Sequence, residues 1–467
     1  MIPQSSEEIT KLIENNTDLL KNYTPASLPV EYIDVQYEEN TFQDDSQHMQ
    51  IKCTDLQYPF SATPVISAPI HDANILYDGP IGSKKFIELT LDYENNIDYQ
   101  FSPGDTVGIL VSNSARDVDV VLMRILSCVS PDVVCDITIK PETTKKSPKF
   151  PPHVPKRASP RALLRDCLDL KSIPKKLFLR SLAEYTTETI EKNFLMLLSS
   201  KEGAKHYNHI ILEQTRTFLD ILELCSSCCP PLSILIEHLP RLKPRPYSIA
   251  NSPLSEPGKV RLIFSTLTEN PGVATSFLTH RVNSFLKNPN KTEQISFYFR
   301  ESNQFNFRHQ EDSILIGIGC GVSPFLGFLA HKDELMKHNT TELGSTWLFV
   351  GSTCQDSAVH RDELLDYQLR GVLQHLYESF SRDPDPECGD FKYVQDQLRG
   401  NIPEFVELLT RGKANLYVCA DGTKISKSIE QCIKECLAIG LECTGEEAEV
   451  VIKEMRLAGR YKKDIWV

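Results

Sequence analysis

The chain has 467 residues, enough at ~150 residues per domain for roughly three folded units. With 40% hydrophobic and 24% charged residues it has the make-up of an ordinary globular protein, and no apolar run approaches the ~20 residues that span a bilayer, which excludes an integral membrane protein. A net charge of −13 excludes sequence-independent binding of DNA or RNA, which needs an excess of Lys and Arg, and suits an acidic surface that meets a basic partner.

The start, MIPQSSEEITKLIENN, is polar and acidic, so it reads as neither a signal nor a transit peptide, and a cytoplasmic protein is expected. In that setting the 14 cysteines read as reduced thiols rather than a disulfide scaffold. Cys225-Ser-Ser-Cys228-Cys229 is half of a zinc pattern. The second half is missing, and Cys432 and Cys436 lie at helical spacing, so buried thiols and no metal are expected.

Residues 1–60 read as a linker, largely disordered, with YEENTFQDDSQ in the middle and a short amphipathic helix over Glu7–Leu20. FIELTLD (86–92) alternates: Ile87, Leu89 and Leu91 take one face and Glu88 and Thr90 the other, as in a half-buried strand. Pro103-Gly104-Asp105 turns the chain into a second strand through Val107, Ile109 and Val111. The Pro- and Lys-rich stretch 141–160 reads as an exposed connector. FLRSLAEY, NFLMLL and FLDILELC then carry apolar residues three and four apart, as helices do. Strand character returns with KVRLIFS (259–265) and ISFYFR (295–300). From Ser313, strand and helix alternate for ~150 residues through SILIGIG, TWLFVGS and ANLYVCAD, which predicts a doubly wound parallel sheet.

The expected fold class is therefore α/β plus β-barrel. The boundaries are 61–140 and 241–310 for an antiparallel barrel, 141–240 for an all-helical insert, and 311–467 for the parallel sheet.

Five local patterns carry chemistry. Gly317-Ile-Gly319-Cys-Gly321 lies between a buried strand and a helix opened by Ser323-Pro324, where backbone amides and the helix N-terminus suit a pyrophosphate. Ser381 and Arg382, with Lys392-Tyr393-Val394-Gln395 after a polar loop, replace the acidic residue of an NAD site by groups that suit a 2′-phosphate. Arg245-Pro246-Tyr247-Ser248 offers a phosphate clamp and a stacking ring. Gly272-Val273-Ala274-Thr275 precedes a helix and makes a second anion site. Asp464-Ile465-Trp466-Val467 ends the chain with an indole able to dock or to cap a planar cofactor.

RPYS, GVATS, GxGxxxxPF, SR…KYVQ, YVCAD and a terminal aromatic, in that order, resemble the ferredoxin–NADP reductase module of the diflavin reductase family. The helical block, from IPKKLFLRSLAEYT to PRLKPRPYS, is most similar to that of the methionine synthase reductase branch. The resemblance covers roughly residues 60–467. It implies FAD held by Arg245, Pro246, Tyr247, Ser248, Gly272, Val273, Ala274 and Thr275, with Trp466 over the flavin ring. It implies NADPH held by Lys84, Gly317, Gly319, Gly321, Pro324, Ser381, Arg382, Lys392, Tyr393, Val394, Gln395 and Asp421. Ser248, Cys419, Asp464 and Trp466 match the group around hydride transfer.

The family pattern is broken at Cys320 (usually Thr), Thr353 (often Arg), Ala420 (usually Gly) and Ser428 (usually Asp). These positions bear on nicotinamide affinity and rate. Nothing in residues 1–60 forms the family's FMN domain of ~150 residues, so FMN is expected on a missing or separate carrier. The implied function is electron transfer from NADPH through FAD and an FMN carrier to the cob(II)alamin of methionine synthase. A catalytically impaired, chaperone-like partner of methionine synthase, or a general diflavin reductase with another acceptor, stays open. Neither nucleic acid nor membrane is an expected partner.

Overall fold

A computed structural model describes residues 5–16, 24–38, 58–80, 82–94, 96–125, 130–267, 269, 271–289, 292–300, 305–338, 342–383 and 391–466. Most of the acidic stretch YEENTFQDDSQ, residues 17–20 of the expected first helix, and Val467 lie outside them.

In chain order, α1 (Ser6–Asn15) and β1 (Ile33–Tyr37) precede β2 (Ile66–Asp78), β3 (Lys84–Asp92) and β4 (Thr106–Ile109). Then come α2 (Ala115–Ile125), β5 (Cys135–Ile139), β6 (Arg157–Ala158), α3 (Pro160–Asp166), α4 (Lys176–Glu184), α5 (Thr189–Ser199), α6 (Phe218–Leu224) and α7 (Leu232–His238). They are followed by β7 (Arg245–Ser248), β8 (Lys259–Leu267), α8 (Val273–Lys287) and β9 (Gln294–Arg300). The last part alternates β10 (Ser313–Ile318), α9 (Ser323–Lys337), β11 (Thr346–Ser352), α10 (Arg361–Leu369) and β12 (His375–Phe380). It ends with α11 (Val394–Gly400), α12 (Ile402–Thr410), β13 (Asn415–Asp421), α13 (Thr423–Gly440), α14 (Gly445–Leu457) and β14 (Tyr461–Trp466).

The chain divides into two compact units, Met1–Leu56 with Val111–Lys243 and Gln57–Leu110 with Pro244–Val467. In the first unit the N-terminal stretch is not a plain linker: Ile9 of α1 and Ile33 of β1 are fully buried among Phe178, Phe194, Phe218 and Leu235. The helices expected of the insert run from α3 to α7, and β1, β5 and β6 add a small antiparallel sheet in which Ile33 faces Ile139 and Tyr37 faces Cys135. Residues Val111–Lys243 fall within this unit, so α2 and β5 pack with its helices. The stretch 141–160 is also anchored, with Pro151 and Val154 buried. Polar hooks hold this unit together. The Glu237 carboxylate accepts the backbone N–H groups of Tyr32 and Ile33 at 2.6 and 2.7 Å. The buried Glu191 carboxylate accepts both the backbone N–H and the hydroxyl of Ser226 and of Ser227. That explains the Cys-Ser-Ser-Cys stretch: its serines ligate a carboxylate, and Cys225 and Cys228 are buried free thiols. Among the described residues no group of His, Cys, Asp and Glu is arranged to hold a metal.

The second unit opens with a six-stranded antiparallel sheet of order β7-β4-β9-β2-β3-β8. The end strands meet where Ile249 bridges Leu262 and the Ala250 N–H donates to the Arg261 carbonyl at 2.8 Å, which closes the sheet toward a barrel. Strand β3 differs from the half-buried strand expected: Glu88 and Thr90 are only 8% and 7% exposed, beside fully buried Ile87, Leu89 and Leu91. A second layer covers the face that alternation assigned to water. Strand β4 stops at Ile109, short of Val111.

Parallel strands β12-β11-β10-β13-β14 follow, as the alternating pattern predicted. The three inner strands β10, β11 and β13 bury both faces. Leu315, Leu348, Tyr417 and Cys419 pack against Phe325 and Phe328 of α9. Ile314, Ile316, Phe349 and Val418 pack on the other side against Leu398, Phe405 and Ile433 of α11, α12 and α13. The strand order reverses between β10 and β13, and in such sheets ligands bind beyond the strand ends at this switch point. Among the described residues no helix is long and apolar enough to cross a membrane.

Candidate active site

The glycine turn sits at that switch point. Gly319 has φ +57°, a left-handed conformation that glycine adopts without penalty, and a Cβ there would meet nothing nearer than Phe86 Cζ at 4.0 Å. Gly321 is packed closely: a Cβ would lie 2.1 Å from the Cys419 carbonyl oxygen. The missing side chain therefore lets the turn after β10 lie on β13. Ser323 Oγ donates to the Cys320 carbonyl at 2.6 Å, and Pro324 occupies the first turn of α9, where its missing N–H costs nothing.

Strand pairing brings the expected hydride-transfer residues together. Cys419 on β13 stands opposite Asp464 on β14, and Asp421 opposite Trp466. Ser248 Oγ, at the end of barrel strand β7, donates to Asp464 Oδ2 at 2.8 Å. Burial raises the Asp464 carboxyl above its ordinary 3.8, against the lowering by Ser248, Trp466 and Arg300. Burial also drives the Cys419 thiol well above 9.0, with Asp464 and Cys320 adding to the rise. Cys419 is therefore a protonated, fully buried thiol beside a carboxylate. The Tyr247 phenol is pushed up by burial too, with Cys320 adding to the rise. Trp466 is partly buried against the cluster of Phe86, Cys320 and Cys419, and its carbonyl accepts the Gly422 N–H at 2.8 Å.

The remaining expected residues lie at separate places on this unit. Arg245, Pro246 and Tyr247 run along β7, with Tyr247 edge-on to Phe264 at 6.1 Å. Gly272 caps α8, and a Cβ there would meet only Thr275 Oγ1 at 3.6 Å, so the first-turn amides of Val273, Ala274 and Thr275 stand behind an open cradle. Lys84 is exposed at the start of β3. Ser381 and Arg382 follow β12 and are held by backbone bonds to the Ser352 and Thr353 carbonyls at 3.0 and 2.8 Å. Lys392 and Tyr393 are exposed just before α11, and Gln395 Nε2 donates to Ser428 Oγ at 3.1 Å. Val394 corrects an expectation: its side chain is 1% exposed in the core of the parallel sheet, so it serves packing and not ligand contact. The Asp421 side chain lies outside the described residues.

Arg300 was not singled out in the sequence. It closes β9 opposite Thr106, which in turn faces Ser248, and its charge lowers the Asp464 carboxyl. A cation ending the apolar run ISFYFR was the available signal.

The FAD binding domain family matches residues 58–274, and the oxidoreductase NAD-binding domain family matches residues 315–424. Methionine synthase reductase of Bos taurus is 33% identical over 99% of this chain and 70% of its own length. The chain belongs to the methionine synthase reductase family. The Homo sapiens methionine synthase reductase is 33% identical over 94% of this chain and 65% of its own length. NADPH–cytochrome P450 reductase of Dictyostelium discoideum is 30% identical over 80% of the chain and 55% of its own length. The chain thus spans about two thirds of the length of the methionine synthase reductases it matches. As a methionine synthase reductase relative with both nucleotide domains, it is an oxidoreductase chain that binds FAD and NADPH.

Proposed function

We propose that the chain draws hydride from NADPH onto FAD and passes the electrons singly, through an FMN carrier, to the cob(II)alamin of methionine synthase. The observation that carries the redox part is the Ser248–Asp464 bond at 2.8 Å, with Cys419 in register beside Asp464, at the switch point of a nucleotide-binding sheet. The cobalamin end rests on what the relatives are named for.

The residues fit the two nucleotides. The open cradle at Gly272 and the amides of α8 suit a pyrophosphate, and Arg245 and Tyr247 supply a cation and a ring on β7. Gly319 leaves room beyond β10, Gly321 lets that turn lie on β13, and Ser381, Arg382, Lys392 and Tyr393 supply donors for a 2′-phosphate. FAD, when bound, supplies the chemistry that turns a two-electron donor into single-electron steps. The chain binds, orients and screens. Asp464 fixes the Ser248 hydroxyl by accepting its hydrogen bond, so Ser248 presents its lone pairs to the site. Cys419, held neutral by burial, places no charge where hydride must pass. The Trp466 indole covers the site from the last strand and must move aside for a nicotinamide ring.

The test is the cofactor and its reduction. Heat should release FAD, identified by chromatography, and anaerobic NADPH should bleach the flavin absorption. FMN as the main product, or no bleaching, would contradict the reading. Electron delivery to methionine synthase is then assayed by reactivation of the cob(II)alamin enzyme with a flavodoxin-like carrier, and no reactivation above a carrier-only control would remove that acceptor.

A further inference from the structure

Four polar side chains outside the site join the barrel to the parallel-sheet layer of the second unit. Glu88 of β3 is 8% exposed. His360 Nε2 lies 2.5 Å from Glu88 Oε2, and His360 Nδ1 lies 3.3 Å from Glu363 Oε2 on α10. Arg261 of β8 reaches both carboxylates, Glu363 at 3.4 Å and Glu88 at 3.9 Å, and donates to the Ala250 carbonyl at 3.0 Å. Tyr367 OH donates to Glu363 Oε1 at 3.0 Å. On the barrel side, Asn74 of β2 also bonds Glu88 and donates to Asp72 at 3.0 Å.

Each ring nitrogen of His360 faces a carboxylate oxygen. A neutral imidazole donates from only one nitrogen and would turn a lone pair toward the other carboxylate, whereas an imidazolium donates to both. Two carboxylates and one guanidinium are also balanced only when the ring carries its proton, and an unbalanced buried charge is costly. Glu88 agrees: burial raises its carboxyl, yet His360 and Arg261 bring it below its ordinary value. His360 also holds a left-handed backbone, φ 50° and ψ 40°, at the start of α10. For a non-glycine residue that conformation is strained and persists where surrounding contacts fix it.

We infer that His360, as an imidazolium shared by Glu88 and Glu363, is a positioning residue that pins the NADPH-binding domain to the FAD barrel. This rests on the proposed hydride transfer, because the two nucleotides are carried by the two layers it joins. Misplacement of reacting groups by about 1 Å costs on the order of a hundredfold in rate.

The test uses the full chain with His360→Asn, Glu88→Gln and the double variant. Asn tolerates the left-handed backbone, so the substitution removes chiefly the ring and its charge. His360→Asn should lower the melting temperature by roughly 3–6 °C. In the Glu88→Gln background, His360→Asn should cost little more. Flavin reduction at saturating NADPH should slow roughly tenfold in His360→Asn with KM for NADPH unchanged. An unchanged rate of flavin reduction in His360→Asn, or a melting gap that persists undiminished in Glu88→Gln, would overturn the pin. If NADPH fails to bleach the wild-type flavin, the proposed reaction fails, and the melting data still decide on the pin.

Discussion

Ser248 and Asp464, 216 residues apart in sequence, are joined by a 2.8 Å hydrogen bond that ties the barrel to the last strand of the parallel sheet. The carboxyl end of that bond is raised above 3.8 by burial. Folded protein therefore holds this proton more tightly than unfolded chain does. Stability falls as pH rises from about 3.8 through the raised value, and the ionised form at neutral pH is a net cost. Asp464→Asn should flatten that stretch of the melting-temperature profile while slowing flavin reduction by tenfold or more, on the order expected when the group that fixes the Ser248 hydroxyl is lost. A variant as fast as wild type would remove Asp464 from the reaction.

Arg382→Ala tests the nucleotide preference. A charged hydrogen bond to a 2′-phosphate is worth about 1.5–3 kcal/mol. KM for NADPH should rise by roughly tenfold to a hundredfold, and KM for NADH should hardly change. Equal losses for both nucleotides would place Arg382 away from the 2′-phosphate.

Removing Trp466 and Val467 should open the nicotinamide face. The expected results are tighter nicotinamide binding and a smaller NADPH over NADH ratio, without a faster overall rate, because a ring bound too well also leaves slowly. An unchanged ratio with a lower melting temperature would mean that Trp466 only anchors β14, as its carbonyl bond to Gly422 does.

Gly321→Ala should damage fold and site together. The new methyl would lie 2.1 Å from the Cys419 carbonyl oxygen, which is backbone and cannot swing aside. A loss of about 1–3 kcal/mol is expected from such overpacking, read as a lower melting temperature and weaker NADPH binding. Gly319→Ala, with open space but φ +57°, should lose stability through backbone strain instead.

Sequence patterns revealed the parallel sheet because buried strands such as SILIGIG and TWLFVGS are apolar throughout. They gave no hint of β12, whose residues HLYESF form an edge with little apolar bias, or of β14, whose Lys462, Lys463 and Asp464 read as polar. Glu88 and Thr90 marked a solvent face by alternation, but a second layer covers that face, and single-strand periodicity carries no information about layers. The glycines and Ser248 were legible from spacing and chemistry. The Ser248–Asp464 bond itself depends on strand order and register, which no local pattern encodes. Val394 lay inside a run of candidate ligands, and its helix turn points it into the core.

The pairing of β1 with β5 has a consequence for how the chain comes into being. Ile33–Tyr37 can form their ladder only after Cys135–Ile139 have been made, with the first three barrel strands between them. During synthesis the N-terminal segment must wait, apolar residues exposed, for about a hundred residues to emerge, and closing a loop of that length slows folding. An expression boundary placed after Tyr37 would leave β5 with an unpaired edge and the hydrophobic bed of Ile9 and Ile33 bare, the kind of surface on which partly folded chains associate.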